Sequence, residues 1–122
     1  MKKLILVALL LLPSLAYAQV PQATSSQKFA WDQDVAASEN IPALMFKYYT
    51  DGATTGVILT GVVCTGTAPT LFCSVPIPAF TPGTHSIKLS AINIAGESAL
   101  SVPFDFALVV TPSAPRLIRV IK

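Results

Sequence analysis

From residue 28 onward, apolar and polar positions alternate in short runs with a period close to two. In "KFAWD" (28–32), Phe29 and Trp31 fall on one side while Lys28 and Ala30 fall on the other, the pattern of a short strand with one buried face. "ALMFKYYT" (43–50) places Leu44, Phe46 and Tyr48 on one face and Lys47 and Tyr49 on the opposite one, and Asp51-Gly52 supplies a turn that favours positive backbone angles. "GVILTGVVC" (56–64) and "TLFCSVPIP" (70–78) are β-branched, apolar and interrupted by glycine or proline, so each reads as one further strand. The clearest alternation follows, with His85, Ile87, Leu89 and Ala91 set against Ser86, Lys88 and Ser90. Asn93 to Gly96 reverses the chain into a final strand within "SALSVPFDFALVV" (98–110), where Pro103 marks an edge, a bulge or a break. Outside the leader no window carries helical periodicity. The expectation is an all-β chain, a single antiparallel β-sandwich of about seven strands.

The two ends break this pattern. "MKKLILVALLLLPSLAYA" (1–18) has two lysines, an apolar core and a closing Ala16-Tyr17-Ala18, the order of a secretory signal peptide cleaved after Ala18. Its apolar run is about twelve residues against the roughly twenty needed to span a bilayer, so no stable membrane span is expected once it is removed. The product is expected to be secreted, extracellular or periplasmic, and the style of the leader is bacterial. "QVPQATSSQ" (19–27) is polar and reads as a flexible entry segment. The ordered domain is expected over 28–111, followed by a linker and strand-like tail over 112–122.

Charge then removes a class of function. Without Lys2 and Lys3, six basic and six acidic side chains remain, and Arg116, Arg119 and Lys122 are crowded into the last seven residues. The body is mildly acidic, which is unsuited to a nucleic-acid partner. The two cysteines, Cys64 and Cys73, flank a loop containing Gly66 and Pro69, and in an oxidising compartment they are expected to form a disulfide between neighbouring strands. A zinc site would need four ligands, and the chain has two cysteines and one histidine.

Candidate chemistry is sparse. His85 is the lone histidine and lies on an apolar face, with no nucleophile or second acid-base group assignable beside it, so a structural role is expected. Asp32, Asp34 and Glu39 cluster in "DQDVAASENIP" (32–42), but they lack the glycine and the frame of a calcium loop, which favours a solvated loop. No phosphate-cradling loop, nucleophile elbow or zinc-protease motif occurs. No enzyme and no cofactor are expected. Tyr49, on a polar strand face, is a candidate contact for a partner, although such a tyrosine is more often a cross-strand packing residue.

The order Pro82-Gly83-Thr84, then Ile87, Leu89 and Ala91, then Asn93, Gly96, Glu97 and Ser98 resembles the F strand and F–G turn of a fibronectin type III domain. Trp31 stands where that family places a buried tryptophan in strand B, and Phe46 or Tyr48 where strand C carries its aromatic. The likeness spans about 28–110. It departs from the family in three places. His85 takes the place of the tyrosine of the tyrosine corner, strand A is hard to find within 19–27, and "TPSAPRLIRVIK" (111–122) looks like a linker and the opening strand of a following module.

The resemblance implies a non-enzymatic, secreted or surface-associated module that binds a protein or carbohydrate ligand at a cell or particle surface. The alternative is a structural assembly subunit pairing through its C-terminal strand. In "RLIRVIK" (116–122), Leu117, Arg119 and Ile121 face one way and Arg116, Ile118, Val120 and Lys122 the other, so both faces keep apolar area. Such a strand has three fates: it folds back into the missing strand-A place, lies loose as a basic tail, or pairs with the edge of another copy through residues 115–122.

Overall fold

The computed structural model describes residues 19–122, so the signal peptide expected over 1–18 lies outside the described residues. Nine strands form two sheets: β1 (Gln22–Ala23), β2 (Lys28–Asp34), β3 (Met45–Thr50), β4 (Val57–Ile58), β5 (Val63–Thr67), β6 (Thr70–Pro76), β7 (Gly83–Asn93), β8 (Gly96–Glu97) and β9 (Phe104–Leu108). One short 3-10 turn, Ile41–Ala43, is the helical content of the described residues. The larger sheet runs β1-β9-β7-β3-β4, with β8 also on β7, and the smaller runs β2-β6-β5. The all-β expectation holds.

The count exceeds seven for three local reasons. "GVILTGVVC" is two strands on different sheets: β4 pairs with β3, Leu59 turns into the core, and Gly61, at φ 79, swings the chain across so that β5 pairs with β6. A side chain at Gly61 would resist that positive φ. The reversal ahead of the expected final strand carries a short strand of its own, β8, and the final strand itself begins only after Pro103, as β9. Finally, the entry segment is not all irregular. Gln22 and Ala23 pair with Ala107 and Leu108, and this ladder is parallel where all others are antiparallel.

The alternation read along β2, β3, β6 and β7 decides what lies between the sheets. Phe46 from β3 packs with Leu71, Cys73 and Val75 from β6 and with Leu59, and Trp31, Leu89 and Ala91 border this upper cluster. A lower cluster joins Ile77, Ile87, Phe106 and Leu108, bordered by Ala23, Phe29 and Phe80. Phe29, Phe80 and Phe104 each set an edge against or stack with Phe106, the Phe29–Phe106 centroids being 5.1 Å apart. Cys64 and Cys73 lie opposite one another in the β5–β6 register and are joined by the expected disulfide. Among the described residues no helix is long and apolar enough to cross a membrane.

Candidate functional site: an open groove beside strand β2

Strand β2 is an edge. In its ladder with β6, the flanking bonds Val35 N–H to the Pro69 carbonyl and Ile77 N–H to the Gln27 carbonyl set which pairs exchange hydrogen bonds. By alternation, Phe29, Trp31 and Gln33 direct their main-chain groups to β6, while Lys28, Ala30, Asp32 and Asp34 direct theirs to the open side. Among the described residues no strand or loop takes them up, and only the Asp34 carbonyl is engaged, by Gln33 Nε2 at 3.1 Å.

Across from this edge the larger sheet is also incomplete. Ser98 and Ser101 replace a regular strand beside β7: Ser98 N–H donates to the Ala91 carbonyl and Ser98 Oγ accepts from Ala91 N–H, and Ser101 does the same with Leu89. The two serines are three residues apart but satisfy partners two apart, so one residue is extruded as in a bulge. Pro103 has no N–H to continue the ladder. The chain therefore stands off, and a groove of about 530 Å³ opens between β2 and residues 98–104.

Phe29, Trp31, Phe46, Leu89, Leu100 and Phe104 give the groove apolar walls. Trp31 is braced edge-on against Phe46, with centroids 5.1 Å apart. Its indole Nε1–H is buried and has no hydrogen-bond partner. Natural interiors carry few such groups, because each costs about 1–3 kcal/mol. Asp32 and Asp34 lie on the solvent face along the open edge, Asp34 accepting a bond from Thr70 Oγ1 at 2.9 Å.

The acidic residues read as one loop are thus split between elements. Asp32 and Asp34 belong to β2, and Glu39 accepts from Asn93 Nδ2 at 3.1 Å. No group of three or more metal-ligating residues comes together among the described residues.

His85 occupies the corner where the resemblance implies a tyrosine. Its Nε2 lies 2.7 Å from the Thr81 carbonyl, four residues upstream, and its Nδ1 lies 2.8 Å from Asp51 Oδ2. Both neighbours are acceptors, so the ring is satisfied when it carries both protons. The Asp51 hydrogen bond, reinforced by the Thr81 carbonyl, raises the His85 pKa above 6.5. The same bond from His85, and Ser86 N–H at 2.8 Å, lower that of Asp51. The corner is thus a hydrogen-bonded tie between the β3–β4 turn and the start of β7.

Tyr49 is used internally. Its hydroxyl donates to Glu97 Oε1 at 2.5 Å, which Ser90 Oγ also bonds at 2.6 Å. The ring lies against Gly56, where any side chain would come within 2.5 Å of it. Glu97 raises the Tyr49 pKa, and the hydrogen bond from Ser90, with that from Tyr49, lowers the Glu97 pKa.

Arg116, Arg119 and Lys122 stand far from such networks. Residues 109–122 are in no strand and are exposed, with Ile118 at 94% and Val120 at 97% of full exposure. The tail does not fold back into the strand-A place. β1 takes the flank of β9, and the edge of β2 stays bare.

Sequence reasoning missed the groove, the Trp31 orphan, and Asp51 and Glu97 as partners of His85 and Tyr49. The strand A that could not be found and the break at Pro103 were the signals for the groove. No family model, no curated protein and no solved structure matches the chain significantly.

Proposed function

We propose that the mature chain is a non-enzymatic, exported binding module of fibronectin type III-like or immunoglobulin-like sandwich architecture that takes an extended peptide into the groove beside β2. The observation that carries this reading is the bare edge of β2, whose outward main-chain groups border an apolar groove lined by Trp31. An added strand would satisfy the edge.

The sandwich reading is supported by two sheets sharing a core, by Trp31 against Phe46, and by a histidine tied to the backbone four residues back, as a corner tyrosine would be. The non-enzymatic reading is supported by the full engagement of His85 in structural bonds. Export is supported by the leader pattern and by the disulfide.

Amide exchange on the dilute, oxidised chain 19–122 tests the groove. A soluble peptide of alternating valine and threonine should slow exchange at Ala30 and Asp32, and the same peptide with proline at alternate positions should not. Binding with no protection of β2 amides, or equal protection by the proline peptide, contradicts the proposal.

A further inference from the structure

The groove and the tail are complementary. The tail keeps apolar residues on both faces of an extended strand, is exposed throughout, and carries Arg116, Arg119 and Lys122. The open edge carries Asp32 and Asp34. Within the tail Leu117 has φ 53, a left-handed value that leucine rarely adopts and that an extended, paired strand would replace.

Resting on the strand-acceptor reading above, we propose that the occupant of the groove is the C-terminal strand, residues 115–122, of a second copy of this chain. One seating is favoured, and it leaves Leu117 and Ile121 on the outer face with Arg119 and places Arg116 and Lys122 at the two ends of the inner one. Ile118 and Val120 enter the groove against Trp31 and Leu100, and Arg119 points to solvent beside Asp32 and Asp34 as a cross-strand ion pair. The opposite seating buries the Arg119 guanidinium among apolar walls and is disfavoured by its desolvation.

The donor is another copy because β9 delivers the chain to the end of the molecule where β1 is paired. From there residues 109–122 run exposed and touch none of the groove. Groove and tail are different surfaces, so the contact is head-to-tail, and it propagates into open chains unless the rotation between copies closes a ring.

The test is light scattering of the oxidised chain 19–122 across a range of concentrations, beside the Ile118→Asp/Val120→Asp variant. The mass of the unaltered chain should rise with concentration, and the variant should stay a monomer with an unchanged melting temperature, since both positions are exposed. Asp32→Lys should weaken association several-fold, and adding Arg119→Asp to it should restore association. Association that survives the double aspartate variant, or an Asp32→Lys defect that Arg119→Asp does not rescue, overturns the tail as occupant.

A synthetic 115–122 peptide separates the two readings. Protection of Ala30 and Asp32 by this peptide supports both. Protection by the valine-threonine peptide alone overturns the self-pairing and leaves the strand-acceptor groove standing. Failure of both peptides overturns both.

Discussion

The lower and upper halves of the cleft between the sheets are built from the same kind of residue and end differently. Below, Phe29, Phe80, Phe104 and Phe106 interlock, Phe106 is fully buried, and β1 closes the flank of β9. Above, Trp31 and Leu89 also present apolar side chains, yet the chain between Ser98 and Pro103 stands off and no strand covers β2. Two residues of main-chain pairing at Gln22–Ala23 mark the boundary. Apolar alternation alone does not seal a core. In the upper half it buries Phe46, Leu71, Cys73 and Val75, yet the flank beside β2 stays open because no main-chain pairing closes it as β1 closes β9 below.

Substitutions should separate the halves, and the largest effect belongs to the closed one. Phe106→Ala empties the centre of the aromatic cluster and should cost roughly 3–5 kcal/mol, read from denaturant unfolding. Trp31→Phe in the open half should change stability far less, because it removes an unpartnered N–H along with the lost ring area. It should nevertheless weaken peptide uptake. Next in size, replacing Cys64 and Cys73 together by alanine releases the loop between them and should cost about 2.7 kcal/mol by the chain-entropy relation. Reduction of the unaltered chain should reproduce that loss.

The His85–Asp51 tie gives the lower half a pH signature. His85 has a raised pKa, so its contribution is fully present below 6.5 and is lost as pH rises through the folded-state value. Asp51 has a lowered pKa, so its contribution is present above 3.8 and is lost as pH falls through its folded-state value. The melting temperature should therefore be highest between these limits, and His85→Gln should flatten the alkaline limb. Of the predicted stability losses the smallest is that of Ser101→Ala, which strips the hydroxyl that accepts Leu89 N–H and should cost about 1 kcal/mol by thermal melting.

Much of the core was legible in the sequence, because Phe29, Phe46, Leu71, Cys73, Ile87 and Leu89 announce their faces by alternation and the cysteines announce their bond. The strand boundaries were less so. Nothing local says that "GVILTGVVC" changes sheets, since its residues suit either one, and only the crossing at Gly61 divides it. β1 was hidden because two paired residues among "QVPQATSSQ" leave no periodicity to read. The site was least legible. An edge is a property of what is missing beside a strand, and the hydroxyl bonds of Ser98 and Ser101 depend on β7 being in place.

The most direct test of the open upper half lies within β2 itself. In dilute, oxidised chain 19–122, amide exchange should be fast at Ala30 and Asp32 and slow at Trp31 and Gln33, whose N–H groups face β6. Protection of all four amides alike in dilute solution would show that the edge is already covered, and would contradict the account.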